Sequence, residues 1–513
     1  MSRRIRHPYL VNDIYLLTIM PRFLLVSLNI DAILGEVTIR QRRKKLDEMT
    51  QGKGLSDAYA ATLLRLKAQK GYKSVLGLKV LMWVLYSERP LQAGELCHAL
   101  GVEIGSADLD LENVPALRIL VASCLGLVTV EASSSRVRLV HSTLQEHLLR
   151  DLTLFQSPHS AIAEVCLTYL NFKSVRDLAP TFHSPPSEMP FLSYASLSWG
   201  NHTRIGTTEN VKVLALRLLD GFDKHISAHL LLLHYHHMIL EEPYYHGGVG
   251  PKGFTGLHGV AFLGIVEIAA AVLDMKEWDV NATDCIGSTA LTWAAIRGHD
   301  AVVKMLLERG DVNPNQVDTE YGQTPLWRAA LGGYDGVVKR LLEREDVDPE
   351  RPDTRYGRTL ISWAAGRGYE GLVKILLGRD DVDPNQVDIK YGRTPMSWAA
   401  ENGHQGVVKT LLECQDANPN QADTKSGRTP LLWAAGNGYE GVVKMLLERE
   451  DINPDKVDSK YGLVPLLLAS KNGHSGVVKM FFERNRVSTA ALDNSQTQIS
   501  SQGNTGVAKN TPN

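Results

Sequence analysis

A glycine that recurs every 35 residues constrains the fold of this chain more than any other sequence feature. It stands at Gly287, Gly322, Gly357, Gly392, Gly427 and Gly462, and Gly253 precedes the series at a spacing of 34. A fixed period of about 20–50 residues is typical of repeat architectures, in which each unit buries its apolar face only against its neighbours. The spacing therefore predicts seven stacked units over residues 253–486 that form one elongated α-solenoid.

Each unit predicts two short helices and a finger. In the fifth unit, Thr394 is suited to cap the first helix and Pro395 to occupy its first position. Gly403 supplies the left-handed conformation that ends this helix. Residues 407–412 carry the apolar stripe of the second helix, and the chain then extends to Asp423 as a predicted β-hairpin finger.

Three units share the same start of the first helix, at Thr324-Pro325-Leu326, Thr394-Pro395-Met396 and Thr429-Pro430-Leu431. Followed by paired alanines and a glycine turn, this motif resembles the signature of ankyrin repeats. The first unit keeps the family's histidine at His258 but lacks its proline, and Leu360 replaces the proline of its own unit. Val464 replaces the capping threonine of the last unit, which is therefore expected to fray at a cost of about 1 kcal/mol.

Two rows of side chains also recur through the array. Five tryptophans lie in the first helices: Trp293, Trp327, Trp363, Trp398 and Trp433. Four of them directly precede the alanine pairs, where ankyrin proteins usually carry a framework residue, and Trp327 lies one residue earlier, so a core role is favoured over ligand binding. Six lysines recur in the second helices and are interpreted as a solvated outer face: Lys304, Lys339, Lys374, Lys409, Lys444 and Lys479.

Residues 74–150 predict three helices and a two-stranded wing. The helices are expected at 75–86, from Arg89-Pro90-Leu91 to Leu100, and at 113–125, before a hairpin with a serine-rich turn. This is a winged-helix pattern. The segments at 89–91, 95–100, 124–130 and 138–147 resemble the winged-helix segment, named after the GPI inositol-deacylase, of NACHT-type signalling proteins in filamentous fungi.

The flanking segments agree with that resemblance. Residues 23–34 resemble the last helix of an NTPase module, and residues 190–202 resemble the helical stretch that precedes the repeats. The resemblance implies a STAND-type, NLR-like protein lacking its NTPase core, with an all-α dominated fold. The expected division is a helical remnant at 1–73, a winged helix at 74–150, a helical linker region at 151–252, seven ankyrin repeats at 253–486 and a disordered tail at 487–513.

Charge and composition exclude several classes of protein. The 513 residues carry a formal net charge of −2, which removes any global attraction for nucleic acid or anionic membranes. The five cysteines are scattered and form no Cys-x-x-Cys pair, so neither a disulfide framework nor a zinc knuckle is predicted. Asp13, Pro21 and Arg22 interrupt the apolar N-terminal stretch, which disfavours a secretory signal and a membrane span. We therefore expect a cytoplasmic protein, with the nucleus as the alternative.

The sequence contains neither a G-x-x-x-x-G-K-[ST] phosphate loop nor a G-x-S-x-G nucleophile elbow. His234, His236, His237 and His246 lack the spacing of a zinc motif. The basic run at 40–45 is interpreted as a solvated helix face rather than a nuclear import signal or a nucleic-acid contact. No enzyme activity, catalytic residue, cofactor or metal is predicted.

The favoured function is protein–protein recognition by the ankyrin repeats, with the winged-helix region as a regulatory spacer, in NLR-like signalling or self/non-self recognition. The partner is expected along the finger tips and the adjoining concave face, and an acidic protein surface is favoured over nucleic acid. Aromatic and guanidinium groups are typical of such interfaces. The candidate contact residues are Tyr321, Tyr356, Arg358, Tyr391, Arg393, Arg428 and Tyr461.

Two alternatives stay open. The tyrosines have regular spacing, and packing of finger against finger is the favoured interpretation for them. The chain as a whole is alternatively the C-terminal part of a NACHT signalling NTPase whose nucleotide-binding half is encoded upstream.

The missing phosphate loop predicts no specific nucleotide binding by this chain. Without that loop, no backbone cradle and no Lys-Ser/Thr pair is available for the β- and γ-phosphates. We expect calorimetric titration of the purified chain with Mg-ATP or Mg-GTP to show no stoichiometric binding. A one-to-one isotherm of micromolar affinity would contradict this prediction.

Overall fold

A computed structural model describes residues 37–50, 55–151, 153–179, 186–239, 251–275 and 278–484. The chain divides into two compact units between Cys285 and Ile286. The helix predicted at 23–34 and the tail predicted at 487–513 lie outside the described residues.

The first part of the first unit consists of short helices around a hairpin. The helices are α1 Ile39–Thr50, α2 Leu55–Lys67, α3 Lys73–Tyr86, α4 Ala93–Gly101, α5 Leu117–Ser123 and α6 Ser142–Arg150. Strands β1 Val128–Val130 and β2 Val137–Leu139 pair antiparallel, with Val128 opposite Leu139. The predicted three helices and wing are present. Helix α5 starts later than predicted because Pro115 holds Val114 in an extended conformation.

An ion pair with a buried carboxylate fixes the turn that leads into α4. The carboxylate of Glu95 is buried and accepts two hydrogen bonds from the Arg89 guanidinium, at 2.8 and 2.5 Å. It also accepts the backbone N–H of Gln92 at 2.7 Å. Arg89 lies over the ring of Tyr194, 5.3 Å from its centroid. These contacts compensate the burial of the charge and join the winged-helix part to the helices that follow.

The remaining helices of the first unit pack around aromatic side chains. They are α7 Pro158–Leu170, α8 Lys173–Arg176, α9 Leu192–Ile205, α10 Glu209–Leu219, α11 Ile226–Ile239, α12 Gly256–Leu263 and α13 Val266–Asp274. Helix α9 packs on α7 and α11, and α10 packs on α7, α12 and α13. Fully buried rings include Trp83, Tyr169, Phe191, Tyr194 and Trp199. Helices α12 and α13 form the first predicted repeat and belong to this unit.

The second unit holds the other six predicted repeats, each with a first and a second helix. The first helices are α14 Ala290–Ile296, α16 Pro325–Leu331, α18 Leu360–Arg367, α20 Pro395–Glu401, α22 Pro430–Asn437 and α24 Pro465–Lys471. The second helices are α15 Asp300–Leu307, α17 Asp335–Leu342, α19 Glu370–Leu376, α21 Gln405–Glu413, α23 Glu440–Leu447 and α25 at 475–484. First helices pack on each other from α14 to α16 and from α18 through α24, and second helices do so from α15 to α17 and from α19 through α23. The second unit is therefore a stack of helix pairs.

The repeated residues account for this packing. Five first helices begin with a threonine hydroxyl that accepts the backbone N–H three residues on: Thr289, Thr324, Thr359, Thr394 and Thr429. Val407, Val408 and Leu411 of the apolar stripe are buried, and so is the pair Ala399 and Ala400. Trp293, Trp327 and Trp398 are buried, as their predicted core role requires, whereas Trp363 and Trp433 are half-buried.

Asparagine side chains bridge the loops of successive repeats. Asn385 donates from its amide nitrogen to the carbonyl of Asp416 at 2.7 Å and accepts the N–H of Asn418 at 2.6 Å. Asn315 and Asn420 make the same pair of bonds to the repeat that follows their own. Each bridge satisfies one donor and one acceptor of the next repeat.

Arginines at the ends of the second helices reach back to the preceding repeat. Arg379 donates to the carbonyls of Leu342 and Arg344, at 2.8 and 3.0 Å. These carbonyls lie at a helix end, where no partner exists within the helix itself. The arginine therefore caps the helix of its neighbour.

The lysine row lies exposed on the second helices, as predicted. Lys409 and Lys444 lie 4.0 and 3.9 Å from Glu413 and Glu448, one helical turn further on. Exposed pairs of this kind contribute little to stability. The row is a solvated surface in which glutamates balance the lysines.

Val464 is the one N-cap residue of these six first helices that makes no side-chain cap bond. Replacing it with threonine should supply the missing acceptor and stabilise the last repeat by about 1 kcal/mol. We expect hydrogen exchange in α24 to slow in Val464→Thr relative to the wild type. Val464→Ala, which offers no acceptor, is the control, and equal exchange in the two variants would contradict the prediction.

Two histidines of the first unit are buried in neutral form. Nε2 of His202 lies 2.9 Å from the Tyr194 hydroxyl, and its Nδ1 lies 2.8 Å from Nδ1 of His159. Nε2 of His225 lies 3.0 Å from the carbonyl of Leu170. Burial lowers the pKa of His202 to about 4 and that of His225 to about 4.

Acid should destabilise the first unit through these imidazoles. Because their pKa in the folded state lies below the unfolded value of about 6.5, the unfolded chain binds more protons, and stability falls as pH decreases from about 6.5 to 4. We expect a loss of roughly 2 kcal/mol per histidine, measured by hydrogen exchange in α9 and α11. His202→Gln should have a shallower pH dependence, and an unchanged slope would assign the effect to other groups.

Candidate protein-binding surface

A buried aspartate holds each finger turn of the second unit. Asp388 is 1% exposed, and its Oδ1 accepts the backbone N–H of Tyr391 at 2.6 Å. Its Oδ2 accepts the N–H of Arg393 at 3.1 Å and the indole N–H of Trp398 at 3.0 Å. The carboxylate thereby joins the finger to the first helix of its own repeat. Buried aspartates occupy the same place in four other fingers: Asp318, Asp353, Asp423 and Asp458.

Main-chain contacts also join one finger to the next. The N–H of Ile389 donates to the carbonyl of Gly357 at 2.9 Å. At Gly392 the backbone φ is 64°, and a Cβ at this position would collide with Thr424 of the following finger. The glycine that sets the sequence period is therefore required both by the turn and by the close approach of the next repeat.

Arginine and tryptophan side chains alternate across the fingers. The Cζ atom of Arg393 lies 4.5 Å from a ring centroid of Trp398 and 4.0 Å from one of Trp433. Arg358 lies 3.7 Å from Trp398, and Arg428 lies 4.8 Å from Trp433. We call these five residues the arginine–tryptophan ladder. Partly desolvated cation–π contacts contribute about 1–2 kcal/mol each, so the predicted arginines have a structural role in addition to any contact with a partner.

Two ladder arginines are paired with carboxylates. Arg393 donates to Glu401 at 2.5 Å, and Nη2 of Arg428 lies 3.6 Å from Oδ2 of Asp458. Arg358 has no ion pair within residues 278–484, and its buried Nε has no hydrogen-bond partner there. Burial lowers the pKa of Arg358. The third arginine is therefore half-buried without an ion pair, although the carboxylates of Asp388 and Asp353 act on it at longer range.

The predicted tyrosines lie on the same turns and differ in exposure. Tyr321, Tyr356 and Tyr391 are half-buried, whereas Tyr461 is 54% exposed. Lys390 Nζ lies 4.8 Å from the ring centroid of Tyr356, and Lys425 Nζ lies 4.9 Å from that of Tyr391. Each lysine belongs to the finger after that of the tyrosine. The tyrosines thus contribute to contacts between fingers, and their contact with a partner stays a prediction.

Three of the predicted residues, Tyr321, Tyr356 and Arg358, meet in one cavity. It has a volume of about 390 Å³ and is lined by residues of the third and fourth repeats. Trp327 and Trp363 form part of its wall, with ring centroids 5.6 Å apart. The other four predicted residues do not line it: Tyr391, Arg393, Arg428 and Tyr461. We call this cavity the arginine pocket.

Three further arginines of the pocket are not among the residues predicted from the sequence. Arg328 replaces the tryptophan that four other repeats carry at this helix position, and its Nη2 pairs with Asp318 at 3.0 Å. That departure from the repeat is visible in the sequence. Arg355 and Arg367 are exposed lining residues, and their convergence depends on how neighbouring repeats stack.

The other candidate sites from the sequence gain little support from the structure. The basic run includes Arg40, Arg43 and Lys44, which are exposed on α1. His246 lies outside the described residues, and no group of three or more metal-ligating side chains occurs among those that are described. Over the same residues, no helix combines the length and apolar character needed to cross a membrane.

Comparison with known proteins agrees with the two regions recognised in the sequence. Residues 64–163 match the family described as GPI inositol-deacylase, winged helix domain. Matches to the family described as Ankyrin repeats (3 copies) cover 229–318, 257–353, 312–388, 337–423 and 415–493, which together exceed half of the chain. The chain belongs to the ankyrin-repeat family.

Individual ankyrin proteins are similar over part of the chain. A stretch of 76 residues is 37% identical to Inversin from Danio rerio and covers 15% of this chain but only 7% of that protein. The ankyrin repeat domain of Bcl-3, a member of the IkappaB protein family, is 26% identical, with a TM-score of 0.40 over 44% of this chain and 99% of that one. The ankyrin repeat domain of human ASB11 is 25% identical, with a TM-score of 0.36 over 43% and 96%.

Removing a finger aspartate should destabilise its ankyrin repeat. Asp388→Ala deletes the acceptor of three N–H groups, two of the finger and one of Trp398, and should lower the free energy of unfolding by about 2–4 kcal/mol. We expect faster hydrogen exchange at the start of α20. Asp416→Ala, an exposed carboxylate in the loop after α21, is the control. Similar losses in both variants would contradict the role of Asp388.

Proposed function

We propose that this chain is a non-enzymatic interaction protein whose ankyrin repeats bind another protein along the finger tips and the adjoining face of the first helices. The observation that carries the proposal is the row of finger turns, each held by a buried aspartate and each presenting aromatic or charged side chains. Groups held rigidly at a fixed spacing lose little conformational entropy on binding. Membership of the ankyrin-repeat family supports this function, since such repeats generally mediate protein binding.

The finger tips are the most accessible part of this surface. Ile389 is 79% exposed at one tip, beside the exposed Lys390. The arginine–tryptophan ladder lies deeper, and the side chains of Arg393 and Arg428 are only 13% and 19% exposed. We assign first contact to the tips and a supporting role to the ladder. The lysine row, whose charges are balanced by glutamates, is the less favoured surface.

We further propose that the winged helix and the helical region after it act as a regulatory spacer in cytoplasmic, NLR-like signalling or self/non-self recognition. The match of residues 64–163 to the GPI inositol-deacylase winged helix domain supports this assignment. The resemblance of the flanking segments to NACHT-type proteins points in the same direction. Neither nucleic acid nor a membrane is a proposed ligand.

Paired charge variants test which surface binds the partner. The tip variant carries Ile389→Ser, Lys390→Glu and Lys425→Glu, and the row variant carries Lys374→Glu and Lys409→Glu. Both reverse two lysines and leave the finger aspartates and the ladder unchanged. With the full chain as bait in a lysate of its source organism, we expect the tip variant to lose most partners captured by the wild type, because the tips make first contact. The row variant should keep these partners.

Thermal melting of both variants is the control for folding. Partners lost only by the row variant would place recognition on the second helices. Partners captured equally by all three proteins would contradict binding at the fingers.

A further inference from the structure

The arginine pocket carries more positive charge than its own carboxylates balance. Its arginines are Arg328, Arg355, Arg358 and Arg367, and Asp353 is the single acidic residue among those that line it. Oδ1 of Asp353 already accepts the backbone N–H groups of Tyr356 and Arg358, at 2.9 and 3.2 Å. Arg328 is paired with Asp318. The other three arginines have no ion pair within the described part of the second unit.

The equivalent arginine of the next repeat has a carboxylate partner that Arg358 lacks. Arg393 has the same place 35 residues further on, stacks on the same indole of Trp398, and donates to Glu401. The residue equivalent to Glu401 in the repeat of Arg358 is Gly366. A Cβ at Gly366 would approach Trp398 no closer than 3.5 Å, an ordinary van der Waals distance. Three repeats therefore carry this arginine. Arg393 has the Glu401 carboxylate, Arg428 has Gly436 at the equivalent position and pairs with Asp458 instead, and Arg358 has neither pair.

The remaining lining of the pocket suits a peptide. The rings of Tyr321, Trp327, Tyr356 and Trp363 supply apolar faces. Oε1 of Gln323 is buried in the same pocket and has no hydrogen-bond partner among the described residues.

We propose that the arginine pocket binds a glutamate or aspartate side chain from an acidic segment of the partner protein, with Arg358 pairing with the carboxylate. This inference rests on the proposed function, that the repeats bind a protein. The incoming carboxylate takes the place that Glu401 has beside Arg393. The exposed Arg355 and Arg367 attract further acidic residues of the same segment, and salt screens this attraction.

Gly366→Glu tests the proposal by supplying the missing carboxylate from within the chain. The probe is a fluorescein-labelled hexaglutamate peptide, titrated with the full chain and followed by anisotropy. We expect the wild type to bind this peptide and Gly366→Glu to bind it at least about tenfold more weakly, since Arg358 is then already paired. Gly366→Gln, which has the same size without the charge, should bind as the wild type does.

A second pair of variants keeps the test valid if substitution of Gly366 impairs folding. Arg367→Gln removes an exposed charge of the pocket and should weaken hexaglutamate binding several-fold without a change in melting temperature. Lys374→Gln removes an exposed charge from the lysine row and should leave binding unchanged. Labelled hexaglutamine should not bind any of these proteins.

Three results would overturn the proposal. They are no binding of hexaglutamate to the wild type, equal affinities of Gly366→Glu and Gly366→Gln, and tighter binding of a labelled oligothymidylate than of hexaglutamate. Each of these leaves the proposed function in place as long as the tip variant loses its partners. Partners captured equally by the wild type and the tip variant would instead remove the proposed function, whatever the hexaglutamate result.

Discussion

The buried aspartate of each finger is the interaction on which the rest of the second unit depends. An ionised carboxylate is costly to bury unless donors fill its lone pairs. At Asp388 those donors come from two elements, the finger turn and Trp398 of the first helix. The same helix position donates from Trp433 to Asp423 and from Arg328 to Asp318. Finger and helix are therefore fixed to each other in each of these repeats, and the same bonds hold the exposed tips in place.

The guanidinium groups near these aspartates stabilise the stack of repeats, in addition to any contact with a partner. Arg393 and Arg428 each combine an indole face with an ion pair, whereas Arg358 has the indole face without an ion pair. The features that distinguish one ankyrin protein from another lie where its repeat is broken, here at Arg328 and at the exposed Ile389.

Different interactions stabilise the two units. In the first, large buried rings surround neutral imidazoles, so its stability depends on the protonation of His202 and His225. In the second, the same short contacts recur between neighbours, as in the bridge from Asn385 to Asn418 and the cap from Arg379. Stability in such an array is close to a sum of nearest-neighbour terms, so local changes remain local.

The sequence by itself determined the features that depend on local order along the chain. The glycine period, the threonine caps, the apolar stripe of each second helix and the two strands of the wing all follow from residues close in sequence. It also placed the seven candidate contact residues on the finger turns. Only the tertiary structure decided which of their charges are compensated. Arg358 and Arg393 each stack on an indole 40 residues further on, and Arg355 and Arg367 meet Arg358 across one pocket. The physical reason is that burial and charge pairing depend on which side chains neighbouring repeats bring together, and stacking across repeats sets that rather than spacing within one.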